Sequence, residues 1–147
     1  MTATVHAPET AYRHPVRVYW EDTDAGGIVF YANYLKFFER ARTEWLRSHG
    51  YGQHEMVERI GGMFVVTDTS MRYRRPARLD DLLEITVDVR RSAAASLEIA
   101  QQAWRDGELL VEGDIRIGFV QRATMRPARI PVEVLGALVA PRPLAAP

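Results

Sequence analysis

One long segment with helical spacing lies among several segments with strand spacing, and this order limits the fold more than any other feature of the sequence. From about residue 31 to 49, apolar residues recur at gaps of three, four and seven, which predicts one face of a helix ending at Gly50. Residues 14–20 alternate apolar and polar side chains, as a strand does. A loop with Gly61 and Gly62 then leads to four more alternating segments: 64–73, 82–91, 96–105 and 108–121.

The connections complete this layout. Residues 105–107, Arg-Asp-Gly, predict a tight hairpin that makes the last two strands antiparallel, and residues 132–138 predict a short helix. We therefore expect one α+β domain over residues 1–147, with a single long helix packed on a curved antiparallel sheet. A flexible arm is expected at residues 1–12 and a loose Pro/Ala tail at residues 140–147.

Composition excludes several classes of function. The 147 residues include 19 Lys and Arg against 19 Asp and Glu, evenly distributed, so the chain lacks the basic surface that nucleic acids require. The absence of cysteine excludes a disulfide framework, a thiolate zinc site and a cysteine nucleophile. His14, His49 and His54 lack metal-ligand spacing, so no metal site is predicted. With no signal peptide and no apolar run near the roughly 20 residues that span a bilayer, we expect a cytoplasmic protein without a transmembrane segment.

The segment WEDTDAGGIVFYANY at residues 20–34 contains the residue types that acyl transfer needs. It places carboxylates, including that of Asp24, just before a glycine pair and the start of the predicted helix. The free N–H groups at a helix start can polarise a carbonyl oxygen, and a nearby acid can activate water. Gly26 and Gly27 allow close approach of the backbone. The same composition is also typical of an ordinary turn and helix cap, with Asn33 as the N-cap.

The longer segment VYWEDTDAGGIVFYANYLKFFERARTEWL closely resembles the signature of the hotdog-fold acyl-CoA thioesterases. Within them it is most similar to the tol-pal system-associated group related to 4-hydroxybenzoyl-CoA thioesterase. The similarity continues through RPARLDDLLEI at residues 75–85 and covers roughly residues 14–130. It implies the hotdog fold, in which a curved five-stranded antiparallel sheet wraps around a long central helix. It also implies hydrolysis of an acyl-CoA, or of an acyl carrier protein thioester, to a free acid and a thiol.

The resemblance implies roles for individual residues. The second acid of the DxD pair is the catalytic one, which is Asp24 in this sequence, as a nucleophile or a general base. The backbone N–H at the helix start, that of Tyr31, receives the carbonyl oxygen. Many tol-pal-type members have His at this position, whereas the hydroxybenzoyl type has Tyr. Gly27 and Ile28 are expected to bind the substrate.

Other side chains are expected to support this site. Asp22 and Glu21 are interpreted as structural, through turn hydrogen bonds or charge pairing. Phe30, Phe64 and Val66 are candidates for an apolar acyl pocket, with ordinary core packing as the alternative.

Coenzyme A carries phosphates, so cations are expected along the route to the site. Arg90 and Arg91 resemble the phosphate-contacting pair of the hydroxybenzoyl-type enzyme, and a solvated strand end with salt bridges is the alternative interpretation. A second cluster is formed by Arg72, Arg74, Arg75 and Arg78.

The resemblance also bears on assembly. Hotdog domains pair side by side with active sites at the interface, so we expect a homodimer, often doubled to a homotetramer. A shared site would then combine Asp24 of one chain with the Arg pair of the other. No cofactor is expected, since coenzyme A is part of the substrate. The alternative function is a hotdog module that binds acyl-CoA without hydrolysing it, as a sensor or a partner protein, although such a module would not need the Asp24 acid.

Overall fold

The computed structural model describes residues 11–140. The strands are β1 (Tyr12–Arg17), β2 (Gly62–Tyr73), β3 (Leu82–Ser92), β4 (Ser96–Arg105) and β5 (Glu108–Gln121). The helices are α1 (Asn33–Ser48), α2 (Gln53–Ile60) and α3 (Val132–Val139), and a 3-10 turn at Trp20–Asp22 follows β1. Most of the predicted arm and tail lies outside the described residues, but Tyr12, placed in the arm from sequence, already belongs to β1.

The five strands form one antiparallel sheet in the order β1-β3-β4-β5-β2, which makes β1 and β2 its edges. Alternation along each strand directs one row of side chains into the core, such as Leu83 and Ile85 of β3. Asp106 and Gly107 have positive φ angles of 48° and 77°, which make the predicted tight hairpin between β4 and β5. This sheet and the single long helix confirm the α+β prediction and the hotdog architecture.

The long helix α1 packs against β3 and β1 through one apolar face. The buried residues of this face are Tyr34, Phe37, Phe38, Ala41, Trp45 and Leu46. Burial of each large apolar side chain stabilises the fold by about 1.5–3 kcal/mol. Gly113 of β5 lets the sheet approach the helix, because a Cβ there would lie 3.1 Å from the ring of Phe38. Gly50, with φ of 84°, follows the end of the helix as predicted.

Three local expectations are wrong. β1 ends at Arg17, three residues before the predicted end at residue 20, because the chain turns there into the 3-10 turn. Residues 53–60, expected in a loop, form α2, which buries Met56 and ends at the left-handed Gly61. The helix is too short for its apolar period to be evident in the sequence. Asn33 is the first residue of α1 and does not cap it, because its side-chain amide donates instead to the Asp22 carbonyl at 2.8 Å.

Candidate active site

The turn that contains Asp24 is held by its own hydrogen bonds. The Asp24 N–H donates to the Ile28 carbonyl at 2.9 Å, and the Gly27 N–H donates to the Asp24 carbonyl at 3.0 Å. Gly27 has a φ of 80°, a conformation that favours glycine. The Asp24 side chain is exposed, and its Oδ1 accepts the Gly26 N–H at 2.8 Å. Among the described residues no group donates to Oδ2, so one carboxylate oxygen is fixed and the other is accessible.

The start of α1 lies at the other end of this turn. The Phe30 N–H and the Asn33 side-chain amide both donate to the Asp22 carbonyl, at 3.0 and 2.8 Å. These two bonds fix the backbone on both sides of Tyr31. Within residues 11–140 the Tyr31 N–H has no hydrogen-bond acceptor. It therefore presents a free donor at the position where the helix dipole attracts negative charge.

The segment between β2 and β3 clamps the turn to the sheet. The Val29 N–H donates to the Ala77 carbonyl at 2.9 Å, and the Ala77 N–H donates to the Tyr34 hydroxyl at 3.3 Å. Ile28 pairs with Arg78 beside them. Ala77 is fully buried, which leaves no room for a larger side chain. Sequence reasoning missed the roles of Tyr34 and Ala77, and the available signal was that both lie in segments with family resemblance, Tyr34 in the first and Ala77 in RPAR.

Aromatic rings border the helix start. The Tyr31 ring meets those of Phe30 and Tyr73 edge-on, with centroids 4.9 and 6.0 Å apart, and Tyr73 also lies 5.8 Å from Tyr34. Burial raises the pKa of both Tyr34 and Tyr73, so their hydroxyls stay neutral at physiological pH. The adjoining cavity, of about 230 Å³, is lined by Ile28, Val29, Tyr31, Tyr34, Tyr73, Arg74, Arg75 and Pro76. The tyrosine rings and the aliphatic side chains of this cavity suit an uncharged thioester, and Arg74 and Arg75 add positive charge beside them.

The other two acids of the turn differ in burial. Asp22 is 6% exposed and its Oδ2 accepts the Tyr19 N–H at 2.8 Å, in agreement with a structural role. Glu21 is exposed and makes no side-chain hydrogen bond within the described part of the chain. Asp24 is therefore the acid that is both fixed by the turn and open to a ligand.

A partly buried ion pair closes the same end of the sheet. Asp81 Oδ2 accepts the Arg105 Nη1 and the Arg78 N–H, each at 2.8 Å. Burial would raise the pKa of Asp81, but the two hydrogen bonds outweigh it and lower that pKa. The Asp81 hydrogen bond in turn raises the pKa of Arg105. This pair joins the segment that clamps the turn to the end of β4.

Arg90 and Arg91 lie at the opposite end of the sheet. β3 begins with Leu82 at the site end, and Arg90 is eight residues further along the strand, about 26 Å away. Arg90 contacts Asp88 at 3.4 Å and Arg91 contacts Glu98 at 3.6 Å, and both arginines are exposed. One protomer therefore does not bring this pair next to its own Asp24. The cations at the site end are instead those of residues 74–78 and Arg105.

The residues predicted for an acyl pocket lie in two places. Phe30 is half-exposed beside the Tyr31 ring. Phe64 and Val66 line a second cavity, of about 280 Å³, further along α1. Glu39 and Arg42 of α1 also line it, and sequence reasoning missed both because charged residues on a helix ordinarily face solvent.

Residues 11–140 contain neither a cluster of metal ligands nor a membrane-spanning helix. In that range no three His, Cys, Asp or Glu side chains lie close enough together to hold a metal ion. Of the helices described, none has the length and apolar character needed to cross a membrane.

Comparisons with known proteins agree on one family. Residues 18–138 match the family model described as thioesterase-like superfamily. The chain is 42% identical over 128 residues to the acyl-CoA thioester hydrolase YbgC of Escherichia coli, and the aligned region covers 86% of this chain and 94% of that protein. It is 39% identical over 129 residues to the acyl-CoA thioesterase YbgC of Haemophilus influenzae, with coverage of 88% and 95%.

Two solved structures are similar to the fold. A probable thioesterase from Bartonella henselae has a TM-score of 0.79 at 31% identity, over 82% of this chain and 99% of that one. A hypothetical protein from Aquifex aeolicus has a TM-score of 0.82 at 27% identity, over 86% of this chain and 98% of that one.

Proposed function

Because the chain belongs to the thioesterase-like superfamily and is an acyl-CoA thioesterase, we propose that the Asp24 turn and the start of α1 form its active site. The observation that carries the proposal is the Tyr31 N–H. Within the described residues it has no acceptor, and it lies at the opposite end of one short turn from an exposed carboxylate. A fixed donor and an accessible acid are the groups that thioester hydrolysis needs.

The Tyr31 N–H is the proposed oxyanion donor. When the thioester carbonyl is attacked, negative charge moves to its oxygen, and a donor at a helix start stabilises that charge more than it stabilises the neutral substrate. Because Phe30 and Asn33 are both bonded to the Asp22 carbonyl, this N–H needs no rearrangement during the reaction. The role belongs to the backbone, so it does not depend on which side chain occupies position 31.

Asp24 is the proposed nucleophile or general base. As a base, it takes a proton from the attacking water, the C–S bond then breaks, and the departing thiolate receives the proton. As a nucleophile, Oδ2 attacks the carbonyl carbon, the thiolate leaves, and water hydrolyses the resulting anhydride. Both routes need an ionised carboxylate with one accessible oxygen, which is consistent with the single bond at Oδ1. Neither route uses a cofactor, because coenzyme A enters as part of the substrate.

Gly27 and Ile28 are the proposed contacts to the substrate next to the reacting carbonyl. A Cβ at Gly27 would meet nothing within 4 Å, so the space beside the turn is open. Ile28 is half-buried and lines the cavity that also contains the Tyr31 side chain. A thioester can thus approach the turn without meeting a bulky side chain.

A homodimer is proposed to complete the site. β2 is a long edge strand with a mostly exposed second half, so a second copy can pair with it and extend the sheet. In such a dimer we assign Arg90 and Arg91 to the phosphates of a coenzyme A bound at the partner's Asp24 turn. The reason is their distance of about 26 Å from the site end of their own chain. A homotetramer would join two dimers, and acyl carrier protein, which carries the same phosphopantetheine arm, is a second possible carrier.

A purely structural role in the turn is the alternative for Asp24. It is favoured by the hydrogen bond from the Gly26 N–H to Asp24 Oδ1, because the same bond is what an aspartate makes when it only forms a turn.

Hydrolysis of a panel of acyl-CoAs by the purified protein separates these two roles of Asp24. Asp24→Asn and Asp24→Ala are expected to lower kcat by about a hundredfold to ten-thousandfold, with circular dichroism and Tm close to those of the wild type. Glu21→Gln is the matched control, an exposed acid of the same segment that is expected to keep full activity. Activity retained in both Asp24 variants would overturn the role of Asp24.

A further inference from the structure

Two separate cavities border α1. The first lies at the proposed active site, where the Tyr31 ring contacts Tyr73 of the edge strand β2. The second, of about 280 Å³, lies further along α1 and is also bordered by β2. Leu35, Glu39 and Arg42 of α1 are spaced by four and three residues, so they lie along one side of the helix, and Glu39 and Arg42 line the second cavity.

The second cavity combines apolar walls with charged side chains. Its walls are formed by Trp45, Leu46, Phe64, Val65, Val66 and Ile117. Arg42 is partly buried there, whereas Glu39 is exposed at the rim. Apolar walls accommodate the methylene groups of many ligands alike. The group that Arg42 binds therefore distinguishes one ligand from another.

Arg42 is held in place by a buried amide. Its Nη1 donates to Gln101 Oε1 at 2.7 Å. Gln101 is fully buried, and its own amide donates to the carbonyls of Phe38 and Thr86 at 3.1 and 3.3 Å, which fixes it between helix and sheet. Within residues 11–140, Gln101 is the one hydrogen-bond partner of the Arg42 side chain, and no carboxylate lies within salt-bridge distance of it. A guanidinium has five N–H donors, so most of them have no acceptor there.

A partly buried cation without a counter-ion is unfavourable, because burial removes the water that solvates the charge. Burial accordingly lowers the pKa of Arg42, and the charge of Glu39 opposes this without forming an ion pair. A carboxylate in the cavity would supply the missing counter-ion, since the planar guanidinium binds carboxylates with two parallel hydrogen bonds.

Resting on the proposed function, we infer that the preferred substrates are coenzyme A thioesters of dicarboxylic acids, whose free carboxylate binds Arg42. The thioester carbon and the free carboxylate carbon of such an acyl group must lie far apart. The rise of nine residues places Arg42 about 14 Å along the helix axis from Asn33, the first residue of α1, and the Arg42 side chain leans back toward the helix start and covers part of this distance. The acyl group must cover the rest, for which succinyl is too short, whereas acyl groups of medium length reach further.

Matched pairs of thioesters test this inference. Succinyl, adipoyl, suberoyl and sebacoyl-CoA are each compared with the monocarboxylic thioester of the same length, from butyryl to decanoyl-CoA, as a ratio of kcat/KM. The ratio is expected to rise with length and to favour the dicarboxylic thioester at suberoyl or sebacoyl. Arg42→Met is expected to lower that ratio by about tenfold to a hundredfold, the range that hydrogen bonds to a charged group supply. Arg42→Lys keeps the charge and is expected to retain part of the preference.

Two further variants sharpen the test. Glu39→Gln removes the negative charge at the rim and is expected to raise the ratio. Arg47→Met is the matched control, because Arg47 is an exposed arginine of the same helix that pairs with Glu44 outside the cavity.

A wild-type ratio at or below one at every length would overturn the inference, as would an unchanged ratio in Arg42→Met. If the neutral thioesters are hydrolysed without such a preference, the inference fails and the proposed function stands. If Asp24→Asn hydrolyses every thioester as fast as the wild type, the proposed active site fails and the inference with it.

Discussion

The two ends of the sheet hold their charged residues in different ways. At the site end, Arg105 donates to Asp81 at 2.8 Å, and about a quarter of each side chain is exposed. At the far end, Arg90 and Arg91 contact acids of the sheet at 3.4 and 3.6 Å, and their side chains are 58% and 80% exposed. The site end is thus fixed by short hydrogen bonds, whereas the far end presents exposed charge with longer contacts.

This difference matches two kinds of task. A group that acts on a reacting carbonyl must be held in position, because a small displacement lowers the rate strongly. A group that attracts a phosphate needs charge more than a fixed position. Because β3 separates the two ends by about 26 Å, a single chain cannot use both at one site, whereas the proposed dimer would bring the two ends of different copies together.

Mixed dimers give the largest expected effect. Co-expressing Asp24→Asn with an Arg90→Ala, Arg91→Ala double variant produces a dimer in which one site has Asp24 from one chain and the Arg pair from the other. That site is of wild-type composition, so activity at low acyl-CoA concentration is expected to be about half that of the wild type, which is about fifty-fold or more above the Asp24→Asn dimer and about fivefold above the Arg variant. Purified heterodimers with two different tags provide the measurement. Activity equal to the average of the two homodimers would place both groups of a site on the same chain.

The Arg pair alone is expected to affect substrate binding. The Arg90→Ala, Arg91→Ala variant should raise KM for acyl-CoA about tenfold with little change in kcat, because exposed cations bind phosphates without contacting the reacting atoms. An acyl-pantetheine substrate, which lacks the nucleotide phosphates, should show no such change. Arg13→Ala is the control, an exposed arginine that pairs with Glu84. An equal rise in KM for both substrates would show that the pair acts through the fold.

The parts of the fold that could be predicted are those that a local sequence pattern defines. Strands β3, β4 and β5 were predicted within one residue of their bounds, since strict alternation on a half-buried sheet is a local signal. The Asp24 turn was also found from local composition. Ala77 and Tyr34, in contrast, meet through a bond between residues 43 apart, and no local pattern contains that contact. The tol-pal association and the cytoplasmic location stay predictions.

Asn33 and Arg42 illustrate why local rules fail near a site. Asn33 has the composition of an N-cap, but its amide is used to fix the Asp22 carbonyl beside Tyr31. Arg42 belongs by its charge on a solvent face, but the buried amide of Gln101 draws it toward the sheet. Both outcomes depend on partners that are close only in the folded chain.

Substitution of one glycine at each end of the sheet is expected to have a smaller effect than loss of the Arg pair. A Cβ at Gly62, at the far end, would lie 2.6 Å from Phe119 Cε1 and 3.0 Å from the Val120 carbonyl oxygen. Gly62→Ala should therefore lower the free energy of unfolding by about 1–3 kcal/mol while the folded protein keeps its kcat. Gly27→Ala meets open space but strains a φ of 80°, at a cost of about 1–2 kcal/mol, and it should also lower kcat. Denaturant unfolding and kinetics on both variants check this, and equal losses of kcat would contradict it.

Removal of the Asp81–Arg105 ion pair is expected to have the smallest effect. The pH dependence of its contribution to the free energy of unfolding has a defined sign. The folded-state pKa of Asp81 is lowered, so the pair stabilises the fold above the unfolded-state pKa of about 3.9 and loses that contribution as the pH falls through the lower folded value. Asp81→Asn preserves an oxygen acceptor for the Arg78 N–H but removes the charge. We expect it to lower the free energy of unfolding by about 1 kcal/mol at pH 7 and by progressively less below pH 4. Urea unfolding of both proteins from pH 7 to pH 3 measures this difference. A difference that stays constant over the whole range would mean that Asp81 acts through packing, and the site end would then owe its rigidity to the Ala77 hydrogen bonds alone.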